Sequence, residues 1–286
     1  MYYQKIALAV SVCALVSALY GAAPRWTAEA REAIRHTFSR DAAIDVDNIN
    51  GTIEIIGDNG TTMRVEGEKI IRAEDQMELD RAKREVTLDI NEKDGVAQLY
   101  VNGPFRHHDG GGNDHGFHER EDRHYEVTYN LTVHVPHATE LRLRDVNGTI
   151  RAGQTSGKFG ISGVNGAVTM NSVAGTGSVR TVNGEINATF TESPKAPLEF
   201  KTVNGKIDTT FPGSLAADIR VKTLNGGAFT DFEAANLPDE TTAKSGNRGN
   251  VFRLDKSKHL RIGNGGPELS FETVNGSISI RKGTAQ

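Results

Sequence analysis

Apolar and polar residues alternate on the approach to an Asn-Gly pair, and this unit returns seven times with the same flanks. The copies are Ile49-Asn50-Gly51, Val146-Asn147-Gly148, Val164-Asn165-Gly166, Val182-Asn183-Gly184, Val203-Asn204-Gly205, Leu224-Asn225-Gly226 and Val274-Asn275-Gly276. Four residues before each Asn stands Val46, Leu143, Ile161, Val179, Phe200, Val221 or Phe271. Three residues after it stands Ile53, Ile150, Val168, Ile186, Ile207, Ala228 or Ile278. Period two is the strand signature, and Asn and Gly tolerate the positive φ of a tight turn. Each unit is therefore predicted as strand, corner, strand. From Asn147 to Asn225 the corners lie 18, 18, 21 and 21 residues apart, the regularity of a repeat architecture.

Two architectures accommodate such a unit. In an antiparallel meander or sandwich of hairpins, the residue just before Asn would turn to the wet face, yet it is aliphatic in all seven copies. In a β-solenoid the same residue is expected to point inward at the corner while the Asn side chains ladder along the edge. The all-β solenoid is the preferred expectation.

Outside the repeats the pattern is less regular. Thr27–Phe38 reads as a short helix, a stalk over residues 24–40. Ala73–Glu85 has helical spacing, with Met77, Leu79 and Ala82 among charges. Val86–Ile90 and Val96–Val101 read as a strand pair, and Tyr125–Val135 alternates cleanly into Pro136. The expected organisation is a leader over 1–23, the stalk, an N-terminal β-rich module over 41–140 with one short helix and a His-rich loop at 105–125, and the repeat domain over 141–281.

The leader is an address. Lys5 precedes an uncharged run from Ile6 to Leu19, and Gly21, Ala22 and Ala23 follow. Basic, apolar, small is the order of an export signal or an N-terminal anchor, so a periplasmic or cell-surface location is expected. Any membrane contact would come through this segment if it stays uncleaved. The single cysteine, Cys13, lies inside it, which leaves the rest of the chain without disulfide or thiol chemistry. The 33 basic and 37 acidic residues, net charge −4, lack the basic excess of a nucleic-acid binder.

Chemistry-bearing residues concentrate in one stretch. Phe105–Tyr125 holds five of the nine histidines. His107, His108, His115, His118 and His124, with Glu119 and Asp122, form a donor set suited to Zn²⁺, Ni²⁺ or Cu²⁺. The competing expectation is a solvated loop of biased composition. No other cofactor is implied. Asp208, Lys206, Arg220 and Lys222 could mimic a polysaccharide-lyase constellation, but ordinary solvated faces look the same. The only Trp is Trp26, the last Tyr is Tyr129, and the repeat Phe residues fall mostly at inward positions, so no aromatic platform for sugars is expected.

The Val-Asn-Gly-x-Ile units resemble a bacterial family labelled putative adhesin, a domain of unknown function built from β-strand repeats. Further carriers are Thr181, Thr202, Thr223 and Thr273 before their aliphatic residues. Ile262-Gly263-Asn264-Gly265-Gly266 leading into Leu269–Gly276, and Val133-His134-Val135-Pro136, also fit. The likeness covers about Asp41 to Arg281, judged by the repeat period. It implies an exported, solenoid-like envelope domain and brings no catalytic residues with it. The expected function is non-catalytic and adhesin-like, contacting an envelope protein or surface. The alternative is a periplasmic metal- or pH-responsive binding protein acting through the His-rich loop.

Overall fold

The computed structural model describes residues 25–38, 43–106, 124–237 and 257–283. In chain order the first elements are β1 (Ala28–Phe38), β2 (Ala43–Asp58), β3 (Met63–Ala73), α1 (Gln76–Glu85), β4 (Thr87–Lys93), β5 (Val96–Asn102) and β6 (Tyr125–Pro136). Next come β7 (Glu140–Gly153), β8 (Phe159–Asn165), β9 (Val168–Val173), β10 (Gly177–Arg180), β11 (Ile186–Phe190), β12 (Leu198–Lys201) and β13 (Ile207–Phe211). The last are β14 (Ala217–Asn225), β15 (Ala228–Thr230), β16 (Ala234–Asn236), β17 (Ser257–Ile262), β18 (Glu268–Asn275) and β19 (Ile278–Lys282).

The repeat unit is a rung with two arms that meet at the Asn-Gly corner. Long strands β2 and β7 run through their corners, whereas later rungs split into β8/β9, β10/β11, β12/β13, β14/β15 and β18/β19. First arms pair in parallel as β2–β7–β8–β10–β12–β18–β14. Second arms pair in parallel as β2–β7–β9–β11–β13–β19–β15. This is a β-solenoid. Its core lies between the two stacks of arms, filled by the alternating residues: Val46, Leu143, Ile161, Val179, Phe200, Val221 and Phe271 from first arms are all buried. Phe190 of a second arm meets Phe200 of a first arm edge-on, with ring centroids 6.2 Å apart, a favourable aromatic geometry.

The rungs do not stack in chain order. β18 sits between β12 and β14, so the chain skips a position, builds the rung of Asn225, and returns to fill the gap with that of Asn275. Antiparallel β17 then covers β14 and is itself edged by the three-residue β16.

The N-terminal module closes the other end. Antiparallel β4–β5 extends the first arms through β5–β2, and β6–β3–β1 extends the second arms through β2–β6. Here the expectation of a helical stalk is corrected: residues 28–38 are a strand in unbroken register with β3, from Ala28↔Ala73 to Phe38↔Met63. The Ala- and Arg-rich sequence favours helix locally, but Ala28, Ala30, Ile34 and Phe38 also alternate, and pairing against β3 decides. The helix is confirmed as α1. Asp75 caps it by accepting from the Glu78 N–H at 2.8 Å, and Leu79 and Ala82 are its buried points. Buried Lys69 donates to Val86 O just past the helix end at 2.7 Å. Burial pulls the Lys69 pKa down against the pull of Glu32.

Candidate functional site

The corner is the element that recurs, and its four positions have four distinct roles. The Asn side chains form one ladder. Each Nδ2 donates to the Oδ1 of the preceding rung, through Asn147→Asn50, Asn165→Asn147, Asn183→Asn165, Asn204→Asn183, Asn275→Asn204 and Asn225→Asn275, at 2.7–3.0 Å. The Gly residues are there for close stacking. A Cβ on Gly148, Gly184 or Gly205 would lie 1.9 Å from the carbonyl oxygen of the Gly one rung below. A positive φ is needed at only three corners, Gly51, Gly166 and Gly276.

The residue two before Asn points into the bend. In four rungs it is Thr, whose hydroxyl donates to a neighbouring rung's Gly carbonyl: Thr181 to Gly166, Thr202 to Gly184, Thr273 to Gly205 and Thr223 to Gly276, at 3.0–3.2 Å. The residue just before Asn points outward. This corrects the expectation of an inward corner aliphatic: Val164, Val182 and Leu224 are 39%, 40% and 65% exposed, Val146, Val203 and Val274 are half-buried, and only Ile49 of the first rung packs against the core. The concave side of so tight a bend has room for one side chain, and in every rung but that of Asn165, where Gly163 stands there, the residue two before Asn takes it. The aliphatic residues therefore form a ridge on the convex side, beside the Asn ladder. Seven rungs at the usual strand spacing make it about 29 Å long.

The first two rungs fill the bend differently. Asn48 and Asp145 occupy the Thr position and are both buried. Asn48 Nδ2 donates to Asp145 Oδ2 at 3.2 Å and also reaches Tyr129 O and Asn50 O. Among the described residues, Asn48 Oδ1 and Asp145 Oδ1 have no hydrogen-bond partner. Burial pushes the Asp145 pKa up to about 6, although the Asn48 amide and the Asn147 and Val146 backbone N–H groups oppose the rise.

The outer surfaces of the two stacks differ in charge. The first-arm surface is laced with ion pairs: Arg144 with Asp45 and Asp47, Arg180 with Glu199, and Lys201 and Lys222 with Glu272. The second-arm surface is richer in amides and hydroxyls. A shallow cleft of about 250 Å³ there is lined by Asn171, Asn187, Thr189, Asp208, Thr210 and Arg281. Asp208 and Arg281 pair at 2.8 Å.

The residues singled out from sequence fall as follows. His107, His108, His115, His118, Glu119 and Asp122 lie outside the described residues. His124 is described and sits just before β6, its Nδ1 2.9 Å from Glu74. The lyase-like set is not assembled: Asp208 is on the second-arm surface, whereas Arg220 and Lys222 are on the first-arm surface, paired with Glu268 and Glu272. Lys206 pairs with Glu185 near the corners. Sequence reasoning missed the buried Asn48–Asp145 pair, whose signal was a carboxylate and an amide where later repeats have Thr. It also missed Phe229, which is 64% exposed on the second-arm surface.

Comparison with known proteins gives a match to one family over part of the chain and a likeness to two solved structures. Residues 130–258 match the family described as Toastrack DUF4097. The fold is similar to a crystal structure described as a putative cell adhesion protein from Clostridium sporogenes, with 9% identity, a TM-score of 0.38, and coverage of 88% of this chain and 100% of that one. It is also similar to a putative adhesin from Bacteroides fragilis, with 13% identity, a TM-score of 0.37, and coverage of 87% and 96%. No curated protein matches the sequence.

Proposed function

We propose that this chain, whose residues 130–258 match the Toastrack DUF4097 family, is an exported, non-catalytic, adhesin-like protein of the cell envelope that contacts a partner through its corner ridge. One observation carries this reading: the outward aliphatic residues Val164 and Val182 sit on successive levels of the stack and Leu224 three levels further along, all beside one Asn ladder. Burying such side chains in an interface releases water from apolar surface, and the ladder offers amide groups along the same line. A solenoid suits the task because its rungs hold the ridge straight without paying ordering entropy on contact. Export is supported by Lys5, the uncharged run Ile6–Leu19 and the small residues after it.

The test is retention at the envelope. The full chain and a Val164→Asp/Val182→Asp/Leu224→Asp variant are expressed in the native host, and cell fractions are compared. All three positions are exposed, so the variant is expected to fold with an unchanged circular-dichroism spectrum. Release of the variant into the soluble fraction supports the ridge. Equal retention of a folded variant overturns it. Recovery of the wild-type chain in the cytoplasm overturns the export reading.

A further inference from the structure

We propose that the outer surface of the second-arm stack binds a neutral glycan chain laid across the rungs, with Phe229 as its stacking platform. This goes beyond the ridge reading and uses a different face, so either can fail alone.

Strand register assembles the site from distant parts of the sequence. Thr169, Asn187, Asp208, Ser279 and Phe229 are successive partners across β9, β11, β13, β19 and β15, a row about 19 Å long at the usual strand spacing. Asn171, Thr189, Thr210 and Arg281 line the cleft beside it. Because β19 inserts between β13 and β15, Phe229 stands two strands from Asp208 rather than next to it.

The chemistry of this row is that of sugar recognition. A pyranose offers vicinal hydroxyls that donate and accept, and an apolar face of C–H bonds. Asn171 and Asn187 can do both, Asp208 accepts, Arg281 donates, and Thr189 and Thr210 do either. Phe229 supplies the apolar partner. The end of its ring reaches Gly227, where an added Cβ would be 2.7 Å from Cζ. The glycine thus lets the tip of the ring approach the backbone while the side chain remains 64% exposed. An exposed aromatic ring offers an apolar surface to the C–H face of a sugar.

Two further features select the ligand. The inter-strand spacing, about 4.8 Å, is close to the advance per residue of an extended pyranose chain, so successive sugars meet successive rungs. The Asp208 carboxylate is neutralised by Arg281 at 2.8 Å, which leaves the row without a net charge to attract a polyanion. The first-arm surface, with its Arg, Lys and Glu pairs, serves as an internal control.

The experiment is calorimetric titration of the full chain with cellohexaose, chitohexaose and maltohexaose, and with a hexamer of galacturonic acid as the acidic comparison. Binding of at least one neutral hexaose is expected, and affinity should fall at least about tenfold in Phe229→Ala and in Asp208→Ala. Arg180→Ala on the opposite surface should bind as wild type. Unfolding midpoints check that the variants fold, and Phe229→Trp should retain or raise affinity. The proposal is overturned if no neutral hexaose binds at about 10 mM, if binding survives both Phe229→Ala and Asp208→Ala, or if the galacturonic hexamer binds best.

Discussion

The two ends of the column inside the corner solve the same problem in different ways. In the rungs of Asn183, Asn204, Asn275 and Asn225, one Thr hydroxyl meets one Gly carbonyl, and every rung repeats the bond. In the rungs of Asn50 and Asn147 a buried amide and a buried carboxyl meet each other and leave an oxygen apiece without a partner among the described residues. Gly163 stands between the two regimes with no side chain in the bend. The difference shows that repetition is stable when each unit satisfies its neighbour by a local bond. The N-terminal rungs abut β6 and the capping module, where Asn48 must also reach the Tyr129 carbonyl. There the repeat gives way to a specific and costlier contact.

That comparison can be broken or sharpened by four substitutions. The largest effect is expected from Gly184→Ala, which attacks the spacing both regimes share. Its Cβ would meet the Gly166 carbonyl oxygen at 1.9 Å, and backbone on both sides leaves little room to shift. A loss of about 3 kcal/mol is expected, read as a lower urea midpoint. If Gly184→Ala unfolds at the wild-type midpoint, close Gly stacking does not set the rung spacing.

Next comes Asp145→Thr, which converts the first regime into the second. The folded pKa of Asp145 is raised from 3.8 to about 6. The folded state therefore holds its proton more tightly than the unfolded chain, and wild-type stability falls as pH rises from about 4 to 6. The Thr variant lacks this loss and can donate to Gly51 O. It should be more stable than wild type by about 2 kcal/mol at pH 7.5, and the gain should shrink below pH 4. Urea titrations at both pH values decide the matter; a gain independent of pH would mean that the carboxyl is not the costly group.

Thr202→Val keeps shape and removes the bond to Gly184 O, so a loss of about 1 kcal/mol is expected. If the same change at Thr181 costs as much, the Thr rungs are equivalent, as the column implies. The smallest effect belongs to Asn183→Asp, which keeps the acceptor for Asn204 and deletes the donor to Asn165. A loss of about 0.5 kcal/mol at neutral pH is expected, measurable in thermal melts, because this ladder is exposed to water.

The sequence by itself determined the rung. Period-two alternation ending at Asn-Gly placed Val179, Phe200 and Phe271 in the core and the seven Asn residues on one edge, because side-chain direction in a strand follows from position alone. It placed α1 through its spacing, and the β4–β5 pair through its two short apolar runs. It also marked the corner Gly residues, though for backbone freedom, while the structure assigns most of them to close stacking. What only the tertiary structure decided were the relations between rungs. The corner aliphatics turned outward because the bend holds one inward side chain, and the solenoid expectation was right for a mistaken reason. Residues 28–38 became a strand because β3 offered a free edge over their whole length. The rung of Asn275 slipped between those of Asn204 and Asn225, and that insertion sets Phe229 two strands from Asp208 instead of beside it. Units with near-identical flanks pair about equally well with any neighbour, so local chemistry cannot encode their order. The choice falls to the packing of the whole stack and its end strands.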